Sequence, residues 1–508
     1  MIRRAKPPWA EIAILVVAVF LRLWMLDLKP AHFDEGVNGW FADQMAQQGY
    51  YRYDPTNYHG PLHMYAVFVS QTLFGRNLWA LRLPAVLASL LAVWALLRLA
   101  PYFRKFPARF AALAMAVSPA YVFFGRYSIH ESWQVLFLAV TLCGILGLWQ
   151  VGSRRALWTV AAGLTGLVLS KETYFIHVGC FLLAFPCLWL WQRVVPSSPD
   201  LKLATPQWRR SDLWNAVAVS IIVTLLFYSG FLLDFGALRG LYETYAAWFE
   251  TGITAGGHEK TAYEIGPLNY YWLALMARYE WPALVGVVGC LWAMGRVDAR
   301  VRYTAIFGAG VLIAYSIIPY KTPWCIISML WPFYLVAGAM IEKLPVRFRY
   351  LAAGLLIAAS LPAMIHLNFD KFDDDSEPYV YVQTYSEIDN AMGPLLKKAA
   401  ADPRFYHAPG KIFLESYYPI PWILGDFTAV GYFKELEVPE AMDPAFVLCS
   451  IENAETVQAA LLGNYYRRDF KLRSGMKDGV AFFRYEDFQD IFGGRPDVIG
   501  AAKQDVLP

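Results

Sequence analysis

A chain of 508 residues with 57% hydrophobic and 17% charged positions is poorer in charge than a soluble protein, which carries about 25%. Its net charge of +3 is too small, and its Lys and Arg too confined to short clusters between apolar runs, for a nucleic-acid binder. The six cysteines show no zinc spacing, and Cys449 in the polar tail has no second tail cysteine, so neither a cysteine zinc site nor a tail disulfide is expected.

The apolar excess falls in runs at about 9–27, 82–100, 108–124, 132–151, 156–170, 174–192, 214–233, 281–295, 303–319, 324–341 and 350–366. Such lengths cross hydrocarbon as helix, so the chain reads as a polytopic membrane protein. The opening MIRRAKPPW suits a signal peptide, but no small-residue cleavage site follows, and the first run is read as a span. Next comes 31-AHFDEGVNGW-40, where Asp34 and Glu35 stand ahead of a predicted amphipathic helix. The segment 61–74 is shorter. If it stays interfacial, the basic clusters at Arg3/Arg4/Lys6, Arg104/Lys105/Arg109, Arg154/Arg155, Arg193–Arg210, Arg296/Arg300/Arg302 and Lys343/Arg347/Arg349 share one side. The positive-inside rule then gives eleven spans, with the N-terminus in and the C-terminus out.

This topology puts all eight histidines outside, with two long outer loops, 28–81 and 234–280. The second holds 256-GGHEK-260 and 263-YEIGPLNYYW-272, where His258 and the aromatics suit a sugar; a merely mobile loop is the plainer reading. Short outer loops carry Arg126, Lys171 with Glu172, and Lys321. Three cations on the outer side run against the positive-inside bias and could share a phosphate. Snorkelling to headgroups, or local pairing of Lys171 with Glu172 and His130 with Glu131, would account for them equally. From about 368 the composition turns polar. Strands are expected at 411–415, 445–450 and 479–483, with a helix over 454–463, giving a small extracytoplasmic α/β domain over 368–508 after a transmembrane domain over 1–367.

Asp34 and Glu35 suit two jobs. Carboxylates at a helix start satisfy orphan N–H groups and the dipole. A carboxylate at a membrane surface can also take a proton from an attacking hydroxyl. His59 and His63 in 58-YHGPLHMY-65 would share a helix face, a spacing that could hold a metal, but Gly60-Pro61 makes the turn irregular and a wet hydrogen-bonding loop is the simpler expectation.

HFDEGVNGW, YHGPLHMY, ALRLPAVL, GRYSIHE, SKET and IPYKTPW, in that order over the first 330 or so residues, resemble the GT-C membrane glycosyltransferases. The nearest branch is that of the protein O-mannosyltransferases and lipid A aminoarabinose transferases. With YPIPWIL, IPYKTPW makes the chain most similar to a prokaryotic group labelled flippase-activity-associated in archaeal N-glycosylation. The resemblance implies a polyprenyl-phosphate-linked sugar donor, an outer active site in the plasma membrane, and a catalytic acid in the first outer loop. That acid maps to Asp34, with Glu35 beside it. His59-Gly60 departs from the Glu-Lys and His-Pro-Pro patterns of that branch, so donor identity does not carry over. The expectation is an inverting transfer to a glycan, lipid or protein acceptor, without cofactor and with no metal indicated. Asp34 and Glu35 are the catalytic candidates; His59, Arg126, Lys171, Glu172, His258 and Lys321 are the substrate-binding ones. A lipid-linked-sugar flippase or a non-catalytic assembly subunit is the alternative. Ion-coupled transport fits less well, because the span centres are nearly uncharged.

Overall fold

The computed structural model describes residues 8–57, 59–198, 203–254, 271–318, 321–434 and 437–501. His258 and most of the glycine- and aromatic-rich loop around it lie outside these residues. The chain divides into two compact units. The first comprises Met1–Leu26 and Gln44–Phe372, the second Asp27–Asp43 and Asp373–Pro508.

The helices run α1 (Trp9–Leu23), α2 (Phe33–Gln48), α3 (Leu62–Phe74), α4 (Leu78–Arg98), α5 (Ala100–Phe103) and α6 (Lys105–Val117). They continue as α7 (Pro119–Phe124), α8 (Glu131–Gln150), α9 (Arg154–Ser170), α10 (Tyr174–Val194), α11 (Arg210–Tyr228) and α12 (Gly240–Thr254). Then come α13 (Tyr271–Tyr279), α14 (Trp281–Ala293), α15 (Ala299–Ile317), α16 (Ile326–Ile341) and α17 (Val346–Ile365). Every apolar run of the sequence contains helix. Among the described residues, six helical stretches are long and apolar enough to cross a membrane: 78–103, 131–150, 174–194, 210–228, 323–341 and 346–370.

Two helical lines are broken inside the first unit. The run expected as one helix over 108–124 stops at Ser118, because Pro119 has no N–H to continue the ladder. The line from α13 to α14 stops at Glu280, before Trp281-Pro282. The breaks meet: the buried Glu280 carboxylate accepts from Ser118 Oγ at 2.9 and 3.0 Å, from the Ala120 N–H at 2.8 Å and from Tyr334 OH at 2.8 Å. It thereby satisfies one orphan donor at the start of α7, and Ser118 Oγ takes the next, the Tyr121 N–H.

In the second unit, β1 (Gly410–Phe413), β2 (Val430–Phe433), β3 (Phe446–Ser450), β4 (Asn464–Phe470), β5 (Gly479–Arg484) and β6 (Val498–Ile499) form one sheet in the order β2-β1-β3-β5-β4-β6. β1 runs parallel to β2 and β3, while β5 is antiparallel to β3 and β4. Alternate residues feed two cores. Ile412, Leu448, Ala481 and Phe483 pack on one face beneath α18 (Asp389–Ala401); Phe413, Val447, Cys449, Val480 and Phe482 pack on the other, with Val457 of α20. α19 is the single turn Ile420–Ile423, α20 spans Ala454–Ala460 and α21 Tyr485–Phe492. The three expected strands are β1, β3 and β5, and the expected helix is α20.

Candidate active site

The acid pair lies in the second unit. α2 starts at Phe33, one residue ahead of Asp34, so Asp34 does not precede the helix but stands in its first turn. The capping is done by its neighbours. The Glu35 carboxylate, fully buried, accepts the His32 N–H at 2.9 Å, and the Asp34 N–H donates to His32 Nδ1 at 3.1 Å. This is a reciprocal capping arrangement with histidine in the place of serine. With Nδ1 accepting, His32 Nε2 is the donor to the Tyr381 carbonyl at 2.9 Å, which fixes the ring. The Asp34 side chain takes no part in the cap and is 36% exposed.

Close backbone approach holds this turn against the C-terminal sheet region. A Cβ on Gly36 would lie 2.4 Å from Pro419 Cα, and one on Gly39 would lie 2.3 Å from the Trp422 ring. Only glycine lets α2 settle on 418-YPIPW-422. Arg473 completes the surroundings. It donates to the Tyr418 carbonyl and Ser416 Oγ, lies 4.5 Å from the Phe33 ring centroid, and attracts Asp34 electrostatically. Burial lowers its pKa to about 10, with Asp34 opposing, so it remains a cation at neutral pH.

The other candidates belong to the first unit. His59 lies outside α3, which begins at Leu62, so His59 and His63 are not on one helical face as their spacing predicts. They meet through a third histidine: the His130 ring is 4.5 Å from that of His59 and 4.7 Å from that of His63. His59 bridges to Lys171 by backbone, and the Gly60 N–H donates to the Ser170 carbonyl at 3.2 Å. A Cβ at Gly60 would lie 2.3 Å from the Leu169 carbonyl oxygen, so the close approach requires glycine. His59 Nδ1 donates to Glu172 at 2.9 Å, and Lys171 pairs with Glu131. The local pairing weighed from sequence is thus crossed, each charge finding its partner in another loop. Burial works to raise the Glu172 pKa, but His59 and then Lys171 hold it below its ordinary 4.5. Burial works against the Lys171 ammonium, yet Glu131, Cys325 and Glu172 hold its pKa well above 10.5. Burial, then His59, His63 and Lys171, push His130 well below 6.5 and keep it neutral. Among the described residues, these histidines included, no group of three or more His, Cys, Asp or Glu side chains is placed to hold a metal ion.

Lys321 shares this neighbourhood, since Cys325 lies within electrostatic reach of Lys171, Glu131, Glu172 and Lys321. Its ammonium donates to the carbonyls of Tyr315 at 2.8 Å, Ser316 at 3.2 Å and Ile318, and meets no carboxylate among the described residues. Burial alone lowers its pKa to about 8. Arg126 is placed elsewhere. It donates to the carbonyls of Leu21, Trp24 and Met25 at the end of α1, where Met25 has φ 50°. Arg82 serves the Leu26 carbonyl there at 2.6 Å. Arginines at a helix C-terminus satisfy its orphan carbonyls and its dipole. Arg473 and the crossed role of Glu131 were missed from sequence; an arginine in a polar tail carries no signal until the tail folds back on α2.

The sequence profile of a family described as "Dolichyl-phosphate-mannose-protein mannosyltransferase" matches residues 58–198, which include the histidine and Lys171–Glu172 positions. No curated protein sequence matches the chain. Among solved structures, ArnT from Cupriavidus metallidurans bound to undecaprenyl phosphate aligns over 94% of this chain and 98% of that one, with a TM-score of 0.59 and 17% identity. The oligosaccharyltransferase of Archaeoglobus fulgidus, tethered with an acceptor peptide containing the NVT sequon, aligns over 95% of this chain and 75% of that one, with a TM-score of 0.51 and 13% identity. The chain has the GT-C fold. The mycobacterial arabinofuranosyltransferase AftD aligns over 94% of this chain and 39% of that one, with a TM-score of 0.50 and 13% identity. These likenesses bear out the GT-C resemblance read from the motifs.

Proposed function

We propose that this chain is a membrane glycosyltransferase that moves a sugar from a polyprenyl-phosphate carrier to an acceptor hydroxyl at the outer membrane surface. The observation that carries this reading is the division of labour at the start of α2. Glu35 and His32 do the capping, and the Asp34 carboxylate remains half-open with a fixed backbone. A base needs that combination of access and preorganisation. Asp34 takes the proton of the acceptor hydroxyl as its oxygen attacks the anomeric carbon. The bond from that carbon to the phosphate oxygen breaks, and the lipid phosphate leaves with the electron pair. A single displacement of this kind inverts the anomeric centre.

Lys321, a buried cation with no carboxylate partner among the described residues, is the proposed holder of the leaving phosphate; Lys171 supports it. Arg126, engaged at the end of α1, sets the start of the acid-bearing loop. His59 and Glu172 are proposed to bind the sugar, and His258 lies in the second outer loop. The eleven-span count, the inward N-terminus and the outward C-terminal domain belong to the same proposal. That ArnT is bound to undecaprenyl phosphate supports a polyprenyl phosphate here. The deciding experiment is transfer of radiolabelled sugar by purified chain from a synthetic undecaprenyl-phosphate sugar, comparing wild type with Asp34→Asn. Equal rates would end the reading.

A further inference from the structure

The cap at the start of α2 fixes the backbone of Asp34 but does not hold its side chain. His32 Nδ1 lies 3.9 Å from Asp34 Oδ2, yet that nitrogen already accepts the Asp34 N–H and has no proton to offer the carboxylate. The χ2 torsion of an aspartate is broad, so such a carboxylate swings unless a neighbouring charge directs it. A catalytic group has to be held within about 10–20° of its working geometry. Arg473, in the connection between β4 and β5, is placed to give that direction. Its backbone bridges to Thr384, and the Leu472 carbonyl beside it accepts the Tyr385 N–H at 3.0 Å. Its guanidinium, buried, donates to the Tyr418 carbonyl at 2.6 Å and to Ser416 Oγ at 2.5 Å. It also lies 4.5 Å from the centroid of Phe33, the residue before Asp34. Both hydrogen bonds go to neutral oxygens, and the acid that attracts the guanidinium is Asp34.

We propose that Arg473 is a positioning residue for the transfer: its charge turns the Asp34 carboxylate into the orientation from which it takes the acceptor proton, and Tyr418, Ser416 and Phe33 hold that charge in place. The inference rests on Asp34 being the base. Arg473 is buried and acts through Asp34, not on the substrate. A buried cation is weakly screened, so its attraction reaches a carboxylate that it does not touch. When Asp34 takes the proton its charge is neutralised and Arg473 keeps its own, so the orienting attraction is present before transfer and lost after it. The loop after β1 and the β4–β5 connection thereby gain a part in the reaction, because one carries the anchors of the guanidinium and the other the guanidinium itself.

The test is a double-mutant cycle between positions 473 and 34 on the purified full-length chain. It reads kcat and donor KM with the synthetic undecaprenyl-phosphate sugar that wild type transfers fastest, at matched amounts of folded protein. Arg473→Gln keeps a hydrogen-bond donor and removes the charge. It is expected to lower kcat roughly tenfold, part of the 10²-fold that a 1 Å misplacement can cost, with donor KM unchanged. Arg473→Lys keeps the charge without the fork and is expected to be faster than Arg473→Gln. In the Asp34→Asn background, where no carboxylate remains to be turned, Arg473→Gln is expected to change the residual rate less than about twofold. Ser416→Ala, a milder variant that frees one end of the fork, is expected to slow wild type about threefold and Asp34→Asn not at all. Arg473→Gln at the wild-type rate, or an equal loss in both backgrounds, would overturn the inference and leave Asp34 as the base. Asp34→Asn at the wild-type rate would end the proposed function and this inference with it.

Discussion

At the start of α2 and at the junction of α9 and α10 the chain sets two charged residues side by side, Asp34-Glu35 and Lys171-Glu172, and uses them in opposite ways. In the first pair one acid is buried as a cap and the other is left half-exposed. In the second pair both groups are buried and each is matched by a partner from a distant loop, Glu131 for Lys171 and His59 for Glu172. The difference lies in desolvation. A charge excluded from water must find a partner wherever the fold supplies one. A carboxylate that keeps part of its hydration can remain available to a substrate. In the proposed function the first region supplies the reactive group, while the ion pairs of the second hold its binding groups in place.

The sharpest test of this contrast is Asp34→Asn. It removes the proton acceptor and leaves the His32–Glu35 cap in place, so transfer is expected to fall roughly 10²- to 10⁴-fold with unchanged thermal unfolding. A parallel loss of stability would mean that Asp34 is structural after all. At the other region the expectation is reversed. Lys171→Met strands the buried Glu131 and is expected to lower stability by about 3–5 kcal/mol, read from thermal or chemical unfolding in detergent. Lys171→Met with Glu131→Leu is expected to recover most of that. A single variant as stable as wild type would show that the junction is wet.

Lys321 lies between these extremes, buried but without a carboxylate. Removing its charge-assisted contact with phosphate in Lys321→Met is expected to weaken donor use by about 1.5–3 kcal/mol. Its folded pKa, lowered from 10.5 to about 8, gives the sign of the pH effect. Below pH 8 the ammonium is charged and can hold the phosphate; above it the charge is lost, so KM for the donor should rise through pH 8. The same shift makes folding more favourable between pH 8 and 10.5, where the unfolded chain binds the extra proton. A KM flat from pH 7 to 9 would remove Lys321 from the phosphate site. The smallest expected effect is at the cap: Glu35→Ala should cost about 1–2 kcal/mol of stability. An activity loss as large as that of Asp34→Asn, at matched folded protein, would erase the distinction between the two acids.

The sequence by itself determined the membrane class, the helical content of each apolar run, the GT-C resemblance, and the three central strands of the sheet. All rest on short-range signals. A span is a contiguous apolar run, and β3 and β5 are buried on both faces, so 445-AFVLCS-450 and 479-GVAFF-483 read as unbroken hydrophobic segments. β4, written NYYRRDF, has no such signature and takes its place only because β5 is there to pair with. Tertiary structure alone decided the partners. Whether Lys171 turns to Glu172 or to Glu131, whether Asp34 or Glu35 caps α2, and whether Arg126 faces a headgroup or the end of α1 depend on which loops approach within a few ångströms. Hydrogen bonds and ion pairs act at that range, and neighbours in the sequence are seldom the groups that a buried charge finally meets.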